Sequence, residues 1–322
     1  MLLKLQRGFA VKIQTSQTIK WPHIHMQASL SENDIAQILR GISIPPQPQI
    51  MADLQMAQAF DPPDLNEISQ LISRDASICG SVIKVANSPY YGLGQPVTSI
   101  DQAIMLIGVD AVINTVNGVS TRQSLVDMSK LNDMDVMFLN RFWDAAEDMA
   151  KIAQLISNQL QLENPSSMYL LGLFHNAGIP LLVQAYPNYR DILAEAYALE
   201  DATITAIEDK HLNTNHAVLG YYLARSWKMP LFICDAITEH HNLQYLLSDS
   251  SSKGGPILNM LSILKLAEHL VGLHYLLGRH ELDLEWLALQ DLLLDYLSIT
   301  HEDIDDLQQT CSEMGIGQQN PG

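Results

Sequence analysis

Histidine is the residue type in this sequence with the greatest capacity for chemistry. The chain has 11 histidines, and two of them, His240 and His241, are neighbours in the sequence. Neutral imidazole rings bind transition metals such as zinc, nickel and iron. The histidines therefore raise the question of whether several of them meet at one metal centre.

Spacing along the chain indicates which of these histidines could share a site. Adjacent positions on an α-helix point about 100° apart, so His240 and His241 can face one site only if a helix ends beside them. Some histidines have no partner spacing that predicts a shared site: His23, His25, His211, His269, His274, His280 and His301.

Cysteine offers no alternative set of metal ligands. The chain contains 3 cysteines, which are Cys79, Cys234 and Cys311, and no two of them have CxxC spacing. An odd number of widely spaced cysteines is typical of a reducing compartment and argues against both a disulfide framework and a cysteine zinc site. We therefore expect a cytoplasmic protein.

The net charge argues against one class of partner. Lysine and arginine total 18 against 36 for aspartate and glutamate, which gives a formal net charge of -18. Charge of this sign repels phosphate backbones and anionic membrane surfaces, so we expect neither nucleic acid nor a membrane as a direct partner. A basic protein partner is compatible with this charge, although solubility explains it without any partner.

The first twenty residues have the opposite charge. Lys4, Arg7, Lys12 and Lys20 occur there without an acidic residue. Lys4 and Arg7 also interrupt the apolar run that a signal peptide would need. A membrane-spanning helix needs a run of about eighteen or more apolar residues, and the sequence predicts none.

The spacing of apolar residues predicts an all-α fold. Between residues 134 and 162 apolar side chains recur at steps of three and four, which is the spacing of one helix face. A shorter helix is expected to begin with Ser99 as its N-cap and to end at Gly108. Capping-box spacing occurs in two further pairs, Thr205 with Glu208 and Thr300 with Asp303.

Proline, glycine and serine mark the predicted domain boundaries. A proline-rich segment at 44–48 opens the main helical region, and a serine- and glycine-rich run at 248–256 closes it. The predicted segments are a leader at 1–43, a domain at 44–247 with halves at 44–130 and 131–247, a helical extension at 256–314 that packs on the second half, and a frayed tail at 315–322.

Two stretches of the sequence resemble a known family. Residues 87–92 read Asn-Ser-Pro-Tyr-Tyr-Gly and are followed by Ala103-Ile104 and Leu106-Ile107-Gly108. Residues 170–178 read Leu-Leu-Gly-Leu-Phe-His-Asn-Ala-Gly. Both resemble signatures of the HDOD domain, in which an Asn-Ser-x-Tyr-Gly turn leads into an Ala-Ile-x-x-Leu-Gly helix and a later helix carries a His-Asp pair.

Further motifs follow in the order that an HDOD domain shows them. They are His216-Ala217-Val218-Leu219-Gly220, Trp227-x-x-Pro230 and Ala236-Ile237-x-x-His240-His241. The resemblance covers about residues 44–245 and implies a helical domain related to the HD phosphohydrolases. The leader and the segment after Gly255 lie outside it.

The resemblance also implies a metal site that has lost ligands. Active HD enzymes hydrolyse phosphate esters with one or two divalent metals held by histidines and a His-Asp pair. Here the pair reads His175-Asn176, Ala145 stands where an active enzyme usually has a histidine, and the last family aspartate falls near Glu268. A neutral amide can ligate a hard cation, but it cannot provide the charge compensation of a bridging carboxylate.

The residues that survive in family positions allow two interpretations. They could hold a transition metal, or they could be polar groups of a helical core that donate hydrogen bonds to backbone carbonyls. The losses favour the second interpretation, so we expect no catalytic residue and no cofactor, with a divalent transition metal as the alternative. The residues that survive are His175, His216, His240, His241 and, with a longer side chain, Glu268; Asn176 completes the set of vestigial candidates.

The resemblance implies a non-catalytic module of bacterial signal transduction that binds another signalling protein or a small ligand. One alternative is a residual metal-dependent phosphohydrolase acting on a nucleotide or a cyclic dinucleotide through the same histidines and Glu268. Another is a metal- or haem-binding sensor built from these histidines. The sequence does not predict the oligomeric state.

Overall fold

The chain is helical throughout the part that the structure describes. This computed structural model describes residues 39–60, 62–88, 91, 96–199, 202–248 and 255–316. Within these ranges there are helices joined by turns and no strand, which confirms the predicted all-α class. The predicted leader and tail, and the linker at 248–256, fall largely outside the described residues.

The five helices between residues 49 and 125 build a core of their own. They are α1 (Gln49–Gln58), α2 (Leu65–Ser73), α3 (Ala76–Ala86), α4 (Ile100–Ile107) and α5 (Val109–Leu125). Asp64 and Asp75 begin α2 and α3, since each carboxylate accepts hydrogen bonds from two backbone N–H groups of the first turn. Apolar side chains of all five helices, together with Val97 from the segment before α4, fill this core: Leu54, Ala57, Ile68, Ile72, Ile78, Val82, Ala86, Val97, Ile100, Ala103, Ile104, Val112, Ile113 and Val116.

A second core forms around one long helix. Helix α6 (Asp133–Leu160) lies close to the predicted range and begins after Asn132, whose side chain accepts a hydrogen bond from the Asp135 backbone N–H. The next helix, α7, packs along α6 and α12, and α11 packs on α8 and α12. The helices that follow α6 are α7 (Pro165–Phe174), α8 (Gly178–Ala185), α9 (Tyr189–Tyr197), α10 (Ile204–Leu212), α11 (His216–Ser226), α12 (Leu231–Glu239) and α13 (Leu243–Ser248).

The C-terminal helices share this second core. They are α14 (Pro256–Val271), α15 (Leu273–Gly278), α16 (Leu284–Leu297) and α17 (His301–Glu313). Helix α14 packs against α6, α7 and α12, and α16 packs against α13 and α14. Residues of α14 and α16 therefore reach the same interior space as the ends of α7 and α12.

Several helix boundaries follow the predicted capping residues. The Ser99 hydroxyl accepts a hydrogen bond from the Gln102 backbone N–H at the start of α4, and Gly108 ends that helix with φ 86°. The capping box of Thr300 and Asp303 is present at the start of α17. These predictions are confirmed.

The second predicted capping box is wrong. Helix α10 begins two residues earlier than that pair requires, with Thr203 as N-cap accepting a hydrogen bond from the Ala206 backbone N–H. Glu208 is instead fully buried and bonds to His216. Tertiary pairing takes this carboxylate away from the helix terminus.

The stretch Pro165–Ala185 resembles a membrane-spanning helix in its length and in its lack of aspartate, glutamate, lysine and arginine. By length and composition it could cross a membrane, yet 83% of its most apolar window is buried within the fold. Helices α4 and α5 meet the same criterion only when taken together, and they are bent by 120° at their junction. In this fold Pro165–Ala185 occupies the position of a core element, broken at its centre by the His175-Asn176 pair.

Two glycines allow backbones to touch beside that pair. A Cβ atom on Gly172 would lie 2.7 Å from the Ala150 Cα, and one on Gly178 would lie 2.1 Å from the His216 carbonyl oxygen. Real Cβ atoms do not approach backbone atoms so closely, and the backbone of a tightly packed interior cannot easily move apart to make room. Glycine at 178 is therefore what lets α8 approach the start of α11.

We expect Gly178→Ala to destabilise the protein by about 3 kcal/mol or more, because the added methyl group overpacks backbone against backbone. The measurement is the free energy of unfolding from urea denaturation. Gly80→Ala is the matched control, since no heavy atom lies within 4 Å of that Cβ position inside α3. The control should gain about 0.5–1 kcal/mol from its better helix propensity, and equal effects at both positions would contradict this view of Gly178.

A buried histidine cluster as the candidate functional site

Helix ends deliver four histidines to one interior region. Helix α7 ends just before His175, and α11 begins at His216. Helix α12 ends at Glu239, so His240 and His241 lie at its terminus and both turn toward the same space. All four rings are buried, with residue exposures of 1% to 7%.

Backbone carbonyls orient two of these rings. His175 Nδ1 lies 2.8 Å from the Gly172 carbonyl oxygen, and His240 Nδ1 lies 2.7 Å from the Ile237 carbonyl oxygen. A carbonyl oxygen only accepts hydrogen bonds, so each Nδ1 must carry the proton. In the neutral ring the lone pair is then on Nε2.

Carboxylates orient the other two rings. His216 Nδ1 lies 2.7 Å from Glu208 Oε2, and His241 Nδ1 lies 2.8 Å from Glu285 Oε1. An ionised carboxylate also only accepts, so the Nδ1 proton points outward from the cluster again. This carboxylate–histidine arrangement is the one that surrounds metal-binding histidines in general.

Three Nε2 atoms converge on one point. His216 Nε2 lies 3.1 Å from His240 Nε2 and 3.0 Å from His241 Nε2, and the three ligand atoms lie within 4.8 Å of one another. Three lone pairs facing each other repel unless a proton or a cation lies among them. Nitrogen ligands at about 2.0–2.1 Å from a tetrahedral zinc ion would be roughly 3.3 Å apart, so this group fits one transition-metal ion.

His175 and Asn176 stand apart from that group and bond to each other. Asn176 Nδ2 lies 2.8 Å from His175 Nε2 and donates to its lone pair. Glu268 Oε1 lies 3.3 Å from the same nitrogen, but in this tautomer neither atom has a proton to give. Among the described side chains, Asn176 Oδ1 and Glu268 Oε1 are buried without a hydrogen-bond donor.

Glu208 is a site residue that the sequence patterns did not reveal. Its Oε1 accepts from the Tyr189 hydroxyl, and its Oε2 accepts from the His216 backbone N–H at 3.1 Å as well as from the ring. Burial alone would raise the pKa of Glu208, but the electrostatic interaction and hydrogen bonds with His216, together with the Tyr189 hydroxyl, hold it below its ordinary value. An acid on the apolar face of α10, between Ile207 and Leu212, was the available signal.

Lys265 and Glu285 were also missed. The Lys265 ammonium contacts Glu268 Oε2 and lies 2.8 Å from Glu285 Oε2. Desolvation alone would lower the pKa of Lys265, but the two carboxylates raise it well above its ordinary value. Burial would raise the pKa of Glu285, yet Lys265 and His241 lower it to about 2. Both partners are therefore charged at neutral pH.

A cavity of about 400 Å³ reaches the cluster from one side. Its polar lining includes His240, His241, Lys265 and Glu285, and the rest of its wall is mainly aliphatic. A small molecule with an apolar body could therefore reach the edge of the histidine group.

A second cluster corrects one sequence-based prediction. His269 and His274, which show no partner spacing, both lie near Asp283, at 3.0 Å and 3.5 Å from its Oδ2. Burial would raise the pKa of Asp283, but the hydrogen bond from His269 and the nearby His274 ring lower it strongly. The Trp286 ring stacks on His269 with centroids 4.2 Å apart. This cluster fixes the start of α16, where Asp283 is the N-cap.

Comparison with known proteins shows the family of this chain. The HDOD domain model matches residues 44–243, which is more than half of the chain. The chain belongs to the HDOD family. An uncharacterized protein of Treponema pallidum (strain Nichols) is 25% identical over 194 residues, which are 60% of this chain and 37% of that protein. The chain thus spans little more than a third of that curated relative.

Solved structures share this helical fold. A protein from Shewanella amazonensis SB2B with a provisional phosphohydrolase name has a TM-score of 0.63 at 18% identity and covers 88% of this chain and 96% of its own. A protein from Marinobacter aquaeolei VT8 with a provisional signal-transduction name has a TM-score of 0.62 at 19% identity, covering 87% of this chain and 61% of its own. Identities this low show a shared fold and leave the chemistry to the site itself.

The buried histidines predict a characteristic pH dependence of stability. Burial lowers the pKa of His240 well below its ordinary value of 6.5, and the neighbouring imidazoles lower it further. Burial also lowers the pKa of His241, against the effect of Glu285. Below about pH 6.5 the unfolded chain takes up protons that the folded chain excludes. Stability is therefore lost from that pH downward, by up to roughly 1.4 kcal/mol per pH unit for each histidine.

The measurement is urea denaturation of chelator-treated protein at pH 7.5, 6.5 and 5.5. We expect the free energy of unfolding to fall below pH 6.5 in the wild type and to fall less steeply in His240→Gln. His301→Gln is the control because that residue is exposed, and its slope should match the wild type. The carboxylates with lowered pKa values affect stability only at lower pH, where the carboxylates of the unfolded chain begin to take up protons. An unchanged slope in His240→Gln would contradict the account.

Proposed function

We propose that this HDOD chain is a non-catalytic regulatory module of bacterial signal transduction, which acts by binding another signalling protein or a small ligand. The signal-transduction name of the Marinobacter neighbour supports this proposal, while the phosphohydrolase name of the Shewanella neighbour supports the alternative discussed below. The cavity beside His240 and His241 provides a site of suitable size for a small ligand.

One observation carries the proposal: the side chains of His175 and Asn176 hydrogen-bond to each other. In a two-metal hydrolytic centre the pair would offer an imidazole nitrogen and a bridging carboxylate, and the metals would activate a water and stabilise the displacement. Here the Asn176 amide donates to His175 Nε2 and uses the lone pair that a metal would need. Ala145, also buried in this core, supplies no ligand in place of the family's histidine.

A second candidate is supported by the convergent nitrogens of His216, His240 and His241. Those residues fit one transition-metal ion, which would supply Lewis acidity beside the cavity. Glu208 and Glu285 would hold the His216 and His241 rings in the tautomer that binds it. A single ion of this kind could serve a sensor or a residual phosphohydrolase acting on a nucleotide or a cyclic dinucleotide.

Hydrolysis assays separate the two candidates. Purified protein is incubated with nucleotides, cyclic dinucleotides and bis(4-nitrophenyl) phosphate, with manganese, iron, magnesium or zinc added in turn. We expect any release of product to equal that of a His240→Ala variant, because the self-bonded pair provides no second metal site. Metal-dependent turnover that disappears in a folded His240→Ala variant would contradict the non-catalytic proposal and support the phosphohydrolase.

A further inference from the structure

Lys265 is an unusual residue for its place in the fold. It lies on α14 between Leu264 and Leu266, and only 4% of its side chain is exposed. Burying a lysine ammonium costs several kcal/mol unless counter-charges compensate it. A lysine at this position is therefore expected to have a specific electrostatic task.

The contacts of the ammonium define that task. Glu268 turns one carboxylate oxygen toward His175 and the other toward Lys265. Glu285 turns one oxygen toward His241 and the other, at 2.8 Å, toward Lys265. The ammonium thus bridges two carboxylates, and each of them contacts a different histidine of the cluster.

Charge in this region is unbalanced without the lysine. Three carboxylates contact the cluster histidines, those of Glu208, Glu268 and Glu285. Among the cluster contacts in the described residues, Lys265 supplies the permanent positive charge next to Glu268 and Glu285. A cation held between carboxylates is also the arrangement in which proteins bind divalent metal ions.

We infer that the Lys265 ammonium takes the place of a second divalent ion. The region of His175, Glu268 and Glu285 is then a former metal site that a side chain of the same protein occupies. An ammonium neutralises the carboxylates but has no open coordination position for a water molecule. The inference goes beyond the proposed function, because it assigns a role to Lys265 whether or not the three-histidine group binds an ion.

The test is to remove the ammonium and count metal ions. Wild type and Lys265→Ala are loaded with Mn²⁺, for which carboxylate ligands are suited, and then desalted and measured by elemental mass spectrometry. We expect Lys265→Ala to hold one more Mn²⁺ per chain than the wild type and to gain a Mn²⁺-dependent rise in thermal midpoint. Lys151→Ala is the matched control, because it removes a lysine from a partly exposed pair with Glu147, and it should keep the wild-type count.

A further variant locates the added ion. Glu268→Gln in the Lys265→Ala background should return the count to the wild-type value, because the amide removes one of the two charges that attract the cation. Equal Mn²⁺ counts in folded Lys265→Ala and wild type would overturn the inference, since a purely structural lysine leaves no cation site behind.

Failure to fold is also informative. If Lys265→Ala is insoluble in metal-poor medium, growth with added Mn²⁺ should restore soluble protein, because the divalent ion supplies the missing charge. Insolubility in both media would overturn the inference. Hydrolysis by the wild type would contradict the proposed function and leave these metal counts unaffected, so the two failures can be told apart.

Discussion

Charges buried beside the histidines must be paired, and the local arrangement of the helices follows from that requirement. The carboxylates of Glu208 and Glu268 and the ammonium of Lys265 are buried, where an unpaired charge would cost several kcal/mol, and Glu285 is partly buried beside them. Glu208 meets Tyr189 and His216, whereas Glu268 and Glu285 meet Lys265. Helix α14 packs against α7 and α12 at the place where these pairs form.

Helix termini then determine which atoms the histidines present. A residue at a helix end has backbone carbonyls within reach, and His175 and His240 both use one to fix the Nδ1 proton. Because His241 follows directly after His240 beyond the end of α12, the adjacent rings share one space, which a continuous helix would prevent. The result is a group of three inward-facing nitrogens next to His175 and Asn176, whose side chains hydrogen-bond to each other.

Much of this arrangement was accessible from the sequence, and the rest depended on distant pairing. Apolar periodicity gave the helical class and the long helix α6, and the family positions singled out residues that the structure brings near one another. Glu208 and Glu285 were missed because their histidine partners lie 8 and 44 residues away, beyond the range of local rules. Lys265 has Glu268 three residues along the same helix, but its other carboxylate partner, Glu285, is 20 residues away. Charged residues inside apolar helix faces were the signal, since a buried charge implies a partner elsewhere in the chain.

The most direct test is a crystal structure of metal-soaked protein with anomalous scattering data collected at the manganese or zinc edge. The account predicts at most one anomalous peak, at the point where the Nε2 atoms of His216, His240 and His241 converge, with Asn176 still bonded to His175. A second peak between His175 and Glu268, with Lys265 displaced, would show a two-metal centre and would contradict the account.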